Sequence, residues 1–296
     1  MPAPGTHIDM EALLRLRHAV VDAQRQRFQR VSALPGPIAT RRRGRGSEID
    51  DIRLWSHGDD IRHIDRNSTA RTGVPHVRTF RDEREQTTLL LADFRPSMLF
   101  GTRRAFRSVA AAEILSLSGW RAVAGGGRVA LLAVSGSEPI LVRASTGERA
   151  MTRIIGGLQR GHAQAMATQS TEPPLIEALD MAARALPRGG TIVLATGLDN
   201  PGRAFEDAVR RTLHRVDLRV ALISDAFERT APPGSYPFVT GTGVRGVQFV
   251  SAKMLHRAHS DGATMLHRLG AHAAIFEAEL PAEQQMRILE RLHGDS

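Results

Sequence analysis

The chain has 296 residues, 42% of them apolar, with no cysteine, 4% aromatic residues and a formal charge of +9. That length supports one large domain or two small ones around a full hydrophobic core. The missing thiols exclude disulfides, thiolate zinc sites, iron–sulfur clusters and a cysteine nucleophile, and so few aromatic rings argue against a base-stacking platform.

Lys253 is the only lysine among the 40 basic residues. Arginine is the side chain suited to bidentate pairing with carboxylate or phosphate. Residues 1–46 hold nine arginines against Asp9, Glu11 and Asp22, whereas residues 47–86 hold seven arginines against nine acids. The excess peaks at Arg41, Arg42, Arg43 and Arg45, one candidate for a phosphate-binding arm. The acid-rich segment that follows favours internal pairing, so nucleic acid is not the expected partner. The first residues lack an apolar signal core, and no apolar run reaches the ~18 residues of a membrane helix. A soluble, cytoplasmic protein is expected.

Along the chain, residues 9–31 space Leu13, Leu14, Leu16, Val20 and Val21 at helical intervals between arginines, the pattern of an amphipathic helix with a basic face. Pro35-Gly36-Pro37 ends it. Residues 38–86 are irregular and highly charged, too long for a simple loop, and predict a small subdomain of short strands and turns. Thr87–Asp93 reads as a buried strand ending in a carboxylate. A helix over 103–124, stopped by Gly125-Gly126-Gly127, leads to strands over 128–134 and 139–143. Helices follow over 147–160 and 174–186, then a strand over 191–195 ending in Thr196-Gly197. A helix over 202–215, a strand over 218–224 before Asp225, a last strand over 246–250, and helices over 252–271 and 281–293 complete the reading. This alternation predicts a doubly wound, mostly parallel α/β sheet covered on both faces. The division is 1–37 for the helix and linker, 38–86 for the charged subdomain, and 87–296 for the α/β domain. Ligands of such sheets sit at the carboxyl ends of the strands, where Asp93, Thr196 and Asp225 fall.

Two stretches resemble a known family. The first runs from Gly44-Arg45-Gly46-Ser47-Glu48 through Gly58-Asp59-Asp60-Ile61-Arg62-His63-Ile64-Asp65 and Ala70-Arg71-Thr72-Gly73 to Val77-Arg78-Thr79-Phe80-Arg81-Asp82-Glu83. It is similar to the signature of the domain of unknown function 58 family. The second, Asp93-Phe94-Arg95-Pro96-Ser97-Met98, resembles the first strand end of a von Willebrand factor A-like domain as that family carries it. The resemblance implies a β-rich segment beside a von Willebrand factor A-like domain, and association with MoxR-type AAA+ ATPases that act as chaperones in protein assembly or activation. It implies no catalytic activity.

Such domains often hold a divalent cation on a D-x-S-x-S motif, a threonine from a second loop and an aspartate from a third. Hard oxygen ligands of this kind suit magnesium. The resemblance places Asp93 and Ser97 in the motif, Thr171 in the second loop, and Asp199 two residues beyond the later aspartate position, which is Gly197 here. Arg95 stands where the middle serine would be. A guanidinium cannot ligate a cation, and pairing with Asp93 would let it replace one. The alternative is that Asp93 and Ser97 only cap the loop.

Elsewhere, Asp50, Asp51, Asp59, Asp60 and Asp65 lie among Arg53, Arg62, Arg66 and Arg71, so ion pairing outweighs cation binding. His256 and His259 have i, i+3 spacing without a matching acid. Neither a P-loop nor a G-x-S-x-G elbow occurs. The expected function is a non-enzymatic, cofactor-free partner or adaptor of a MoxR-type ATPase, docking through Asp93, Arg95, Ser97, Thr196 and Asp199. The alternatives are anion or nucleic-acid binding through the basic arm, and a metal-dependent hydrolase at Asp93.

Overall fold

The computed structural model describes residues 5–32, 49–56, 59, 61, 64–80, 86–168, 172–199, 201–239 and 244–294. The chain divides into two units, residues 1–29 with 86–296, and residues 30–85.

Helix α1 (Met10–Ser32) begins the larger unit, with Asp9 accepting the Glu11 and Ala12 amides at its start. Its apolar positions bury Leu13, Leu16 and Val20 in the core of that unit, and the Trp120 indole donates to the Leu13 carbonyl at 3.0 Å. Each such burial is worth roughly 1.5–3 kcal/mol, so the amphipathic spacing is spent on intramolecular packing.

In the smaller unit, β1 (Ile49–Leu54), α2 (Arg66–Thr72) and β2 (His76–Phe80) follow in order, and β1 pairs antiparallel with β2. Asp65 caps α2 by accepting the Ser68 amide at 2.9 Å, and Gly73 closes it in the left-handed conformation at φ 74°. Asp59 accepts the Ser56 amide. Two of the acids for which the sequence favours ion pairing over cation binding, Asp59 and Asp65, thus serve as turn and helix caps. The side chains of Asp50, Asp51, Asp60, Arg53 and Arg62 lie outside the described residues.

The larger unit continues through β3 (Thr87–Asp93), α3 (Arg107–Ala124), β4 (Arg128–Val134), β5 (Ile140–Ser145), α4 (Gly147–Ala167), α5 (Leu175–Ala185), β6 (Thr191–Thr196), α6 (Phe205–Leu213), β7 (Asp217–Ser224), α7 (Ala226–Thr230), β8 (Gly234–Val239), β9 (Arg245–Val250), α8 (Ala252–Leu269), β10 (His272–Glu277) and α9 (Met286–Leu292). Six of these strands form one sheet in the order β10-β7-β6-β3-β4-β5, parallel except for the β4–β5 pair. This is the doubly wound architecture the sequence predicts. Every residue of β3 and β6 is buried, as central parallel strands require. Leu90 and Ala92 face one layer, with α1, α3, α4 and α9, while Leu89 and Leu91 face the other, with α5, α6 and α8. Helix α4 lies close to the sheet because Gly157 leaves only 2.6 Å between its would-be Cβ and Leu131 Cδ2.

One strand assignment is corrected. Residues 246–250 do not enter the main sheet; they pair with β8 in a separate two-stranded ribbon. The sixth strand is β10, in a stretch the sequence reading passed over between two helices. His272-Ala273-Ala274-Ile275 is alanine-rich and only half-buried at the sheet edge, so its periodicity is weak. The signal that separates it from α8 is Gly270, which stops that helix at φ 96°. Among the described residues, no helix is long and apolar enough to cross a membrane.

Candidate functional site

The sheet reverses its winding between β3 and β6, and at the carboxyl ends of those strands Asp93 and Thr196 meet: the Thr196 hydroxyl donates to Asp93 Oδ2 at 2.7 Å. Parallel strands of this order leave a crevice at that point. Here an arginine fills it. Arg95 Nε donates to Asp93 Oδ1 and Nη2 to Oδ2, both at 2.8 Å, and the Arg95 amide adds a third bond to Oδ1 at 3.1 Å. Both carboxylate oxygens therefore carry two partners each, close to the capacity of an ionised carboxyl.

The remaining guanidinium donors reach two other loops. Nη1 donates to the Pro173 carbonyl at 2.8 Å and lies 3.4 Å from Glu172 Oε1. Nη2 donates to the Asp199 carbonyl at 2.8 Å. Glu172 in turn accepts from the Ser97 amide at 2.8 Å and from its hydroxyl at 2.9 Å. One cationic side chain thus ties together the loops after β3, before α5 and after β6.

A second buried arginine, Arg107 at the start of α3, extends the network. It donates to Asp199 Oδ2 at 2.8 Å, to Glu228 Oε1 at 3.0 Å and to the Ser97 carbonyl at 2.6 Å. Gly197 makes room beside it: a Cβ there would lie 2.4 Å from Asp199 Oδ2 and 2.6 Å from Arg107 Nη1, so one of the two would have to shift. Asp225 accepts the Thr102 amide at 3.0 Å, bonds the Thr102 hydroxyl and caps α7.

Burial opposes the charge on Arg95, but Asp93, with Glu172 and Asp199, outweighs it and holds the guanidinium above its ordinary pKa. Arg107 is raised in the same way, burial being overcome by Asp199, Glu228 and Asp93. For Glu172, burial prevails over the pull of Arg95 and Ser97 and raises the carboxyl above its usual range.

These residues do not fit a divalent cation. The nitrogens of the Arg95 guanidinium occupy both Asp93 oxygens, and Asp199 directs its carboxylate to Arg107. The expected ligands Asp93, Ser97 and Asp199 are brought together, but around two arginines; Thr171 lies outside the described residues. The expected docking face also changes. Asp93, Arg95 and Thr196 are fully buried, because a guanidinium bonded on all sides is necessarily enclosed. Only Ser97 and Asp199 of that set keep solvent contact. Arg107, Glu172 and Glu228 were missed by the sequence reading. The available signal for Arg107 was a charged residue heading the apolar first turns of α3, Val109-Ala110-Ala111-Ala112.

His259 is buried rather than at the surface, with its Nδ1 3.3 Å from Glu228 Oε2; the His256 side chain is outside the described residues. Arg41, Arg42, Arg43 and Arg45 are also outside them.

A family model described as "Protein of unknown function DUF58" matches residues 51–242. Uncharacterized proteins of Mycobacterium tuberculosis and Mycobacterium bovis are 38% identical over 120 residues, 39% of this chain and 34% of theirs. The match thus takes in about a third of those relatives' length. Among solved structures, the conserved hypothetical protein BatB from Bacteroides thetaiotaomicron aligns at 13% identity over 71% of this chain and 98% of its own, with a TM-score of 0.47. A von Willebrand factor type A protein from Catenulispora acidiphila aligns at 12% identity over 70% and 42%, with a TM-score of 0.39.

Proposed function

The chain belongs to the family described as Protein of unknown function DUF58, and on that footing we infer that it is a non-enzymatic protein-interaction module. The observation that carries this reading is the closed network at the switch point. Asp93, Arg95, Thr196 and Arg107 are buried and bonded to one another or to neighbouring loops. Groups engaged in this way build a rigid surface more readily than they bind and transform a substrate, since chemistry needs donors and acceptors directed at a reacting atom. The rim that remains for contact comprises Ser97, Phe100, Arg103 and Asp199, all at least partly exposed.

The partner in this reading is a MoxR-type AAA+ ATPase, the association the family resemblance implies, and the setting is the cytoplasm. The module would be preformed by Arg95 rather than assembled around an ion. Co-purification of the tagged chain with the cognate ATPase tests it, with ATP, with ADP and without nucleotide. The ATPase is expected to be retained in at least one nucleotide state. Absence of the ATPase from all three eluates defeats the reading.

A further inference from the structure

Between β7 and α8 the chain leaves the main sheet and forms β8 and β9, which among the described residues pair only with each other. A lone two-stranded ribbon is marginal in water; a third strand or a packed face is usually needed. The base of this ribbon is tied to the carboxyl edge of the main sheet by aromatic rings. Tyr236 meets Phe227 edge-on at 5.0 Å between centroids, and Phe227 meets Phe100 at 6.1 Å. The outer part is uncovered. Register and alternation set Arg245, Val247 and Phe249 on one face, with Pro237 and Ser235 across from the latter two. Val247 is 70% exposed and Phe249 60%. Adjacent apolar side chains left this open mark an interaction site.

The two strands differ as edges. Strand β8 carries Pro237, which lacks an N–H and blunts an edge against pairing. Strand β9 contains no proline. The stretch of chain that carries it has one sign of charge: Ala231 to Ser260 contains no Asp or Glu, but includes Arg245, Lys253 and Arg257. A second copy of the chain would bring the same positive charge. An anionic lipid surface would satisfy the charge but leave open-edge amides without partners in an apolar medium. An extended, acidic protein segment satisfies the edge, the apolar face and the charge together.

We propose that β9 is a docking edge at which a partner protein adds, as a third strand, an extended segment that carries two apolar side chains and a carboxylate at alternate positions along one face. This rests on the reading of the chain as a protein-interaction module and names the chemistry of what it receives. The two apolar side chains of the added strand lie beside Val247 and Phe249, and its carboxylate, two positions further along the same face, lies beside Arg245.

The test is fluorescence anisotropy on the full chain with three labelled peptides: one with valine, valine and glutamate at alternate positions separated by threonine, the same with lysine in place of glutamate, and the first with a central proline. The valine–glutamate peptide is expected to bind, more weakly as salt rises, and the other two are not. The double variant Val247→Ser, Phe249→Ser, whose thermal midpoint checks that it is folded, is expected to weaken binding about tenfold. Equal binding of the lysine peptide, equal binding by the double variant, or no binding of the glutamate peptide overturns the proposal. So does sedimentation with phosphatidylglycerol vesicles that the double variant abolishes. The peptide result decides the ribbon and the ATPase co-purification decides the module reading, so the two fail separately.

Discussion

Arg95 grips Asp93, two residues before it, by both carboxylate oxygens at 2.8 Å, and neither residue has any solvent exposure. A buried ion pair of this kind is not automatically stabilising relative to an apolar replacement of both partners. Removing one partner is costly, because the other charge stays buried without compensation. Arg95→Ala is therefore expected to lower unfolding free energy by about 3–5 kcal/mol, read from urea titration. Arg95→Lys should recover only part, since an ammonium cannot span Asp93, Pro173 and Asp199 as a planar fork does. A loss below about 1 kcal/mol for the alanine variant would remove Arg95 as the clamp of the three loops.

His162 on α4 is buried against the N-terminal segment, with Nε2 2.9 Å from the Thr6 carbonyl and its ring edge-on to Phe94. Burial lowers its pKa below the ordinary 6.5 despite the Thr6 contact. A base depressed in the folded state binds fewer protons there than in the unfolded chain. Its contribution is therefore present above the unfolded value and lost as pH falls through the folded one. Urea midpoints are expected to fall between pH 7 and pH 5 in the wild type, and less steeply in His162→Gln. Parallel profiles for the two proteins would show that another group governs the acid limb.

Ala204 precedes α6 at φ 60°, a conformation costly for a residue with a Cβ, and it is exposed. Ala204→Gly is expected to raise stability by about 0.5–1 kcal/mol by releasing that strain. A decrease would place the strain elsewhere, with Leu198, also at φ 60°, the other non-glycine residue in that region among the described residues.

Gly157→Ala moves in the opposite direction. Alanine favours a helix, but its Cβ would sit 2.6 Å from Leu131 Cδ2 and 3.0 Å from Val142 Cγ2. Overpacking of about 1–3 kcal/mol outweighs the helical gain of about 1 kcal/mol. Differential scanning calorimetry should show a lower melting temperature, and an unchanged or higher one would mean that α4 can lift from the sheet without loss.

The central strands were legible because burial on both faces demands continuous apolar runs such as Leu89-Leu90-Leu91. Strand β10 was not, because an edge strand half in solvent needs no such run. At the site, the Asp93–Arg95 pairing was readable, since the two residues are close in sequence at a strand end. Glu172 and Glu228 reach the same cluster from loops that only the fold brings near, and nothing local distinguishes them from surface acids. Gly197 looked like a lost ligand; its missing side chain instead makes room for the Asp199–Arg107 contact.

Arg95 supplies a built-in guanidinium that engages both oxygens of Asp93 in the crevice between β3 and β6, leaving no carboxylate oxygen there for a divalent ion. Calorimetric titration of manganese into the wild-type chain, repeated with Asp93→Asn, tests this most directly. A flat wild-type titration is the predicted result. Saturable binding of one ion per chain, abolished by Asp93→Asn, would contradict it.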